Sequence, residues 1–224
     1  MLNTYWEYFI SLPLSFFFCL RNFPFGIAIK IPIIIRYNVK IRSFKNKIIL
    51  LDERKPFGGV RIGFGKVGCF DKKYQRTIFD NSGVIKIKGK AFIGAGSRIV
   101  VGKEGVLEFG CGFDNTSSIT IICFKNIVFG KDVLTSWDIL IMDTDFHSVH
   151  NITTTVESFL KEKDIYIGDH VWIGCRSTLL KGTTICDNSI VAACSVVNKA
   201  FNEESVLIAG NPAAVKKRGV LWDK

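Results

Sequence analysis

Two of the chain's three histidines lie in one short stretch, Asp143-Thr144-Asp145-Phe146-His147-Ser148-Val149-His150, beside two carboxylates. An imidazole changes charge near neutral pH, with an ordinary pKa of about 6.5, so it can take the proton of a poorly nucleophilic hydroxyl as that oxygen attacks. A carboxylate on the far ring nitrogen would fix the tautomer and stabilise the imidazolium. Asp145 and Asp143 are both candidates for that task, and the sequence does not choose between them. The chain's seven cysteines, Cys19, Cys69, Cys111, Cys123, Cys175, Cys186 and Cys194, are odd in number and include no C-x-x-C pair. That pattern fits buried free thiols in a reducing compartment better than a disulfide framework or a zinc site.

The stretch that must position these groups follows them. From Ile167 an aliphatic residue opens every sixth position: Ile167, Ile173, Leu179, Ile185, Val191 and Val197. Small or unbranched residues follow at Gly168, Gly174, Cys186 and Ala192, and small or β-branched ones recur at Val171, Ser177, Thr183, Ser189 and Ser195. A helix repeats its apolar residues at 3.6 and a strand at 2, so period 6 describes short strands joined by turns around a common interior. Upstream, Ile93-Gly94, Val101-Gly102, Phe109-Gly110 and Phe129-Gly130 repeat more loosely, which predicts irregular early coils. Residues 143–166 carry no hexad and read as a loop thrown out from one corner, a common place for function in repeat proteins.

With VWIG at 171–174 and AGNP at 209–212, the pattern resembles the hexapeptide-repeat acyltransferases, most nearly the bacterial O-acetyltransferases that modify sugars and surface polysaccharides. The resemblance covers residues 58–218. It implies a left-handed parallel β-helix, all-β, with acetyl-CoA as acyl donor bound between subunits of a homotrimer and no metal required. His147 matches the family's general base. Trp172, Gly174, Cys175, Ala193 and Asn198 match positions that line the CoA groove, and the backbone N–H of Cys175 matches the oxyanion donor. Lys216, Lys217 and Arg218 are candidates for the CoA phosphates, with a solvated basic tail as the rival reading. Trp137 and Asp138 fall near the family's acceptor site, where an aromatic face and a polar group suit a sugar, and His150 is a weaker acceptor contact. The resemblance thus implies acetyl transfer to a sugar hydroxyl of a surface polysaccharide or its precursor.

Two rivals remain. One is a non-catalytic β-helix that binds a partner or membrane. The other is a zinc β-helix resembling carbonic anhydrases, which would need all three histidines as ligands, although His170 sits at a hexad turn.

The bulk properties agree with a globular chain: 224 residues, 48% hydrophobic and a formal charge of +10. The charge calls for an anionic partner, here a phosphate-bearing cofactor or a membrane face and not nucleic acid. Residues 1–57 read as an N-terminal extension capping the solenoid. The first 50 carry seven cations against Glu7 alone, with an aromatic cluster around Tyr5, Trp6, Phe9 and Phe16 to Phe18. The uncharged run Tyr8–Leu20 is 13 residues long and contains Pro13, below the roughly 20 residues of a membrane span. No secretory signal is evident. The expected location is cytoplasmic, with peripheral contact at the inner membrane face. Gly63-x-Gly65-x-x-Gly68 is followed by no helical pattern and reads as a turn. A short helix is expected over Ala213–Lys217, then a tail, 219–224.

Overall fold

The structure is a computed structural model that describes residues 2–43, 47–52, 56–65, 67–68, 70–71, 74–150, 158–159 and 161–223. The chain winds through three parallel sheets in strict rotation. The first sheet runs from Ile33–Ile35 up to Val206–Gly210, the second from Lys40–Ile41 to Val196–Val197, and the third from Lys47–Leu50 to Ala200–Phe201. Among the described residues this makes seven coils of a parallel β-helix, one strand from each sheet per coil.

The hexads behave as their period requires. Ile167, Ile173, Leu179, Ile185, Val191 and Val197 are all buried on the coil axis. Each such burial contributes about 1.5–3 kcal/mol. The small residues two positions before each of the later aliphatics sit inside the corners, where Ser177 donates to Ala192 O at 3.0 Å and Thr183 to Leu180 O at 2.7 Å. The tight turns put residues at positive φ every six positions: His170 at 53°, Arg176 at 58°, Gly182 at 81°, Asn188 at 58° and Cys194 at 60°.

The early coils are irregular, as expected, and longer: the pairing of Val60–Phe64 with Ala91–Gly94 shifts register between Ile62 and Phe64. Ile93 aligns with Asn115, 22 positions on, and Asn115 with Thr135, 20 positions on, whereas Ile173 aligns with Val191 after 18. In the second to fourth coils strands of three to five residues replace the two- and three-residue strands of the sixth and seventh, and aromatic side chains fill the wider interior. Phe109 stacks on Phe129 at 5.4 Å between ring centres, with Phe113 against both.

Both ends differ from the expectation. The solenoid begins at Ile33 and not at residue 58, because Ile33–Ile35, Lys40–Ile41 and Lys47–Leu50 already form a full coil. Ahead of it, helix α1 (Leu2–Asn22) runs antiparallel to Ile33–Ile35 along its open edge. The groups left unpaired on an edge strand need partners. Ser15 Oγ accepts from Ile35 N at 2.9 Å and Ser11 Oγ from Tyr37 N at 3.0 Å. The Cys19 thiol donates to Ile33 O at 3.5 Å, and Phe18 plugs the core against Phe79. A short helix α2 (Phe25–Ala28) leads into the first coil.

At the other end, Ala213–Arg218 is a strand and not a helix. It pairs antiparallel with Val206–Gly210 and closes the last open edge of the first sheet. An unpaired terminal strand exposes a full row of backbone donors and acceptors, and satisfying them outweighs the weak helical propensity of a five-residue segment. The tail folds back: Trp222 stacks on His170 at 4.3 Å and donates from Nε1 to His170 O at 2.8 Å.

Candidate functional site

The inserted segment leaves the second sheet after Ile139–Met142 and rejoins the third at Ile165–Ile167. Its two limbs zip together as an antiparallel ribbon. Lys163 N donates to Asp143 O at 3.0 Å, Asp145 N to Lys161 O at 3.1 Å, and Thr144 bridges Glu162. Farther out, Val149–His150 pairs with Ser158–Phe159.

Asp143 anchors the root. Its carboxylate is fully buried and accepts three backbone N–H groups from the coil below: Phe124 at 2.8 Å, Lys125 at 2.8 Å and Asn126 at 2.9 Å. The adjacent Cys123 thiol is pushed well up, first by burial and then by the Asp143 charge. On the returning limb Asp164 pairs with Lys125 at 3.0 Å and accepts from Tyr166 Oη at 2.8 Å. Burial works to raise the Asp164 pKa, yet the Lys125 and Tyr166 hydrogen bonds hold it below the ordinary carboxylate value.

His147 is exposed at the bend between root and ribbon. Its N–H donates to Asp145 O at 2.7 Å around Phe146, whose φ is 60°. A two-residue hydrogen bond around a positive-φ residue is a γ-turn of the rare, strained kind. The Phe146 ring packs edge-on against Phe124 at 5.2 Å and holds the turn. Among the described residues neither aspartate carboxylate bonds the imidazole. Asp143 faces the coil amides, and Asp145 forms an ion pair with Lys181, which reaches over from the next coil. The side chain of His150 lies outside the described ones.

The proposed cofactor residues sit elsewhere. Trp137, Asp138, Cys175 and Ala193 occupy turns between the first and second sheets, in successive coils. Hydrogen bonds tie these turns into a column: Arg176 N donates to Trp137 O at 2.9 Å, Cys194 N to Cys175 O at 2.9 Å, and Gly210 N to Ser195 Oγ at 3.3 Å. Phe70 packs edge-on against Trp137 from a loop of the second coil. Trp172 lies on the outer face of the first sheet, donating to Ser136 Oγ at 3.3 Å with Trp222 beside it at 6.1 Å. Gly174 has a packing reason as well, since a Cβ there would stand 2.6 Å from Ala193 N. Lys216 and Lys217 are exposed on the closing strand, while Arg218 is held in a two-bond pair with Glu203.

Asn198 departs from this group. It lies in the turn between the second and third sheets, on the same edge of the prism as the root of the His147 loop and Lys181. One chain therefore carries the histidine and the tryptophan–cysteine column on two different edges. His170 lies on the third edge, between the third and first sheets, apart from His147. Among the described residues no three His, Cys, Asp or Glu side chains gather as a metal site would require.

Comparison with known proteins agrees with the repeat and the parallel coil. A sequence profile described as "Bacterial transferase hexapeptide (six repeats)" matches residues 164–199. The putative lipopolysaccharide biosynthesis O-acetyl transferase WbbJ of Escherichia coli K12 is 30% identical over 156 residues, covering 64% of this chain and 79% of that protein. The polysialic acid O-acetyltransferase of Escherichia coli O1:K1 is 30% identical over 137 residues, 61% of this chain, which spans 42% of that longer protein. The crystal structure of the polySia-specific acetyltransferase NeuO superposes with a TM-score of 0.55 at 22% identity, over 86% of this chain and 79% of that one. The chain belongs to the hexapeptide-repeat acyltransferases, and its coil is their left-handed parallel β-helix.

Proposed function

We propose that the chain transfers an acetyl group from acetyl-CoA to a sugar hydroxyl of a bacterial surface polysaccharide or its precursor. His147 takes the hydroxyl proton, the oxygen attacks the thioester carbonyl, the Cys175 N–H holds the oxyanion, and the CoA thiolate leaves. The observation that carries this reading is the presentation of His147: exposed, on a strained γ-turn, and buttressed by the buried Asp143 anchor and the Asp145–Lys181 pair. The relatives' names, which specify lipopolysaccharide and polysialic acid as targets, support an acceptor of that kind.

Because His147 and the Cys175 column stand on different edges of one chain, a complete site needs the histidine of one protomer and the column of its neighbour. A cyclic homotrimer of three-sided coils supplies three such seams. CoA then runs along the column past Trp172, Gly174, Cys175 and Ala193, its phosphates toward Lys216 and Lys217. Trp137 and Asp138 meet the acceptor from the coil below. Asp143 and Asp145 act on the histidine through the loop, as positioning residues.

The test is acetyl-CoA consumption with a panel of oligosaccharide, nucleotide-linked and lipid-linked sugars, read as CoA release together with an acetyl ester in the product's mass spectrum. Exposed Cys111 and Cys194 react with thiol reagents themselves, so the release assay needs a protein-only baseline. Esterified product from none of the panel, with protein that binds CoA, would count against the sugar acceptor. Zinc bound in stoichiometric amount and needed for turnover would overturn the metal-free mechanism.

A further inference from the structure

Helix α1 is apolar on two opposite faces. One face, centred on Ser11, Ser15, Phe18 and Cys19, closes the first coil. The other presents Tyr5, Trp6, Phe9, Phe16, Phe17 and Leu20 to solvent, with Tyr5 74%, Trp6 60% and Phe9 64% exposed. At 100° per residue these six positions fall within one stripe about 120° wide, opposite the buried face. A surface helix of a water-soluble protein normally carries charge there. The charged residues of α1 are only Glu7 and Arg21, and Glu7 is turned inward, paired with the buried Arg36 at 3.1 Å. The stripe continues onto α2 and the link after it, where Phe25 is 70% exposed and Ile29 is also exposed. Apolar grooves of about 580 and 440 Å³ flank the helix, one beside Pro13 and Phe16, the other beside Tyr8 and Phe57. No described helix is long and apolar enough to cross a membrane.

This end of the molecule carries exposed cations. Arg21 lies over the Phe17 ring at 5.7 Å, and Lys30, Lys40 and Lys47 are exposed at the same end of the molecule. Aromatic side chains in a stripe, with cations nearby and a helix not apolar enough to span, are the chemistry of a helix lying in the plane of an anionic lipid interface. Tyr and Trp at its N-terminal end suit the headgroup level.

We propose that α1 docks the protein flat on an anionic lipid bilayer. Helix and coil then fix the orientation. The helix lies along the open edge of the first coil, so its stripe faces away from the stack. The root of the His147 loop is four coils farther on, at about 4.8 Å per coil. Adding half a helix diameter sets that root about 25 Å from the lipid surface. On the acetyl-transfer reading proposed above, the enzyme modifies a sugar held out from the membrane on a lipid-linked chain, and not one next to the headgroup. The docking itself does not depend on that reading, and its test uses no activity.

The chain contains its own depth gauge. Of its four tryptophans, only Trp6 lies on α1; Trp137, Trp172 and Trp222 belong to the fifth coil and beyond. The full-length protein is mixed with phosphatidylcholine vesicles, with and without phosphatidylglycerol, bearing brominated acyl chains. It should sediment with the anionic vesicles, less with the neutral ones, and less at high salt. Its fluorescence should be quenched, and Trp6→Phe should abolish the quenching while leaving sedimentation in place. Replacing Phe9 and Phe16 together by Ser should weaken binding at least about tenfold with the light-scattering mass unchanged. Failure to sediment with anionic vesicles overturns the proposal. So does undiminished quenching in Trp6→Phe, which would place another surface on the lipid. A smaller assembly in the Phe9, Phe16 double variant would show instead that a second copy of the chain covers this face.

Discussion

Lys181, at a turn of the sixth coil, forms an ion pair with Asp145, two residues before His147 on the loop of the fifth. The pair ties the bend that carries the histidine to the coil above it. Lys181 is mostly buried, so the interaction is less screened than an open surface pair. Lys181→Met and Asp145→Asn should each lower kcat modestly, by less than about tenfold, and the double substitution should cost no more than either single one. Additive losses would show that Asp145 acts on His147 directly and not through the Lys181 tether.

Asp143 should matter more for stability than for proton chemistry. Its buried carboxylate satisfies three amides of the coil below, and hydrogen bonds to a charged group are among the stronger ones. Asp143→Ala should destabilise the protein by about 2–4 kcal/mol in denaturant titration. Asp143→Asn keeps an acceptor oxygen and should lose less. A wild-type unfolding midpoint in Asp143→Ala would remove the anchor role.

The difference between the two aspartates was invisible in the sequence. Both flank His147 at short range, and nothing in the letters says that one points inward to a neighbouring turn and the other outward to a lysine 36 positions on. The later coils were legible because 18-residue coils repeat in phase with a hexad, so Ile167 to Val197 declare their burial directly. The 22- and 20-residue coils keep the same pairing with longer strands and phenylalanine filling, and a fixed period cannot follow them. The first coil hid for the same reason, being built from Ile33–Ile35 and two further strands with no hexad between them. At the other end the letters of Ala213–Lys217 fit a helix, but the open edge of Val206–Gly210 decides the conformation. The separation of His147 from Cys175 follows from counting sheets, which sequence alone did not permit.

Thiol chemistry should report the same burial pattern. Cys19 is pushed up to about 11 by burial, partly offset by its bond to Ile33 O, and Cys123 is pushed up by burial and the Asp143 charge. The thiolate is the reactive form. At pH 8 a chloroacetamide-type reagent should therefore label exposed Cys111 and Cys194 in the native protein and spare Cys19 and Cys123 until unfolding. The linkage has a definite sign. The folded thiol keeps its proton where the unfolded one loses it, so this stability is fully present below about pH 8.5 and is lost as pH rises toward 11. Labelling of Cys19 as fast as Cys111 in native protein would contradict the helix cap.

His147→Ala should reduce kcat by about 10²- to 10⁴-fold while CoA affinity, measured by calorimetry, stays near wild type. A base works only when unprotonated, so wild-type kcat/KM should rise from acid toward neutral pH and the variant should lose that limb. His150→Ala disturbs the same ribbon without removing the base and should keep most activity. Loss in His150→Ala with full turnover in His147→Ala would reverse the assignment.

The last expectation comes from the two edges. If a site joins the His147 loop of one protomer to the Cys175 column of the next, two differently damaged chains can repair each other. His147→Ala spoils the loop edge. Ala193→Trp, at an exposed turn of the column, blocks the cofactor groove without touching the coil interior. Each variant alone should be inactive as a homotrimer. Refolded or co-expressed together, mixed trimers contain seams where an intact loop meets an intact column, and activity should return to a fraction of wild type. Chains that each hold a whole site cannot recover this way, because every protomer would still carry one lesion in its own site. Light scattering must show a trimer in all three samples, so that a silent mixture reflects separate sites and not failed assembly. Mixed trimers of the right mass with no turnover would place the whole site within one chain.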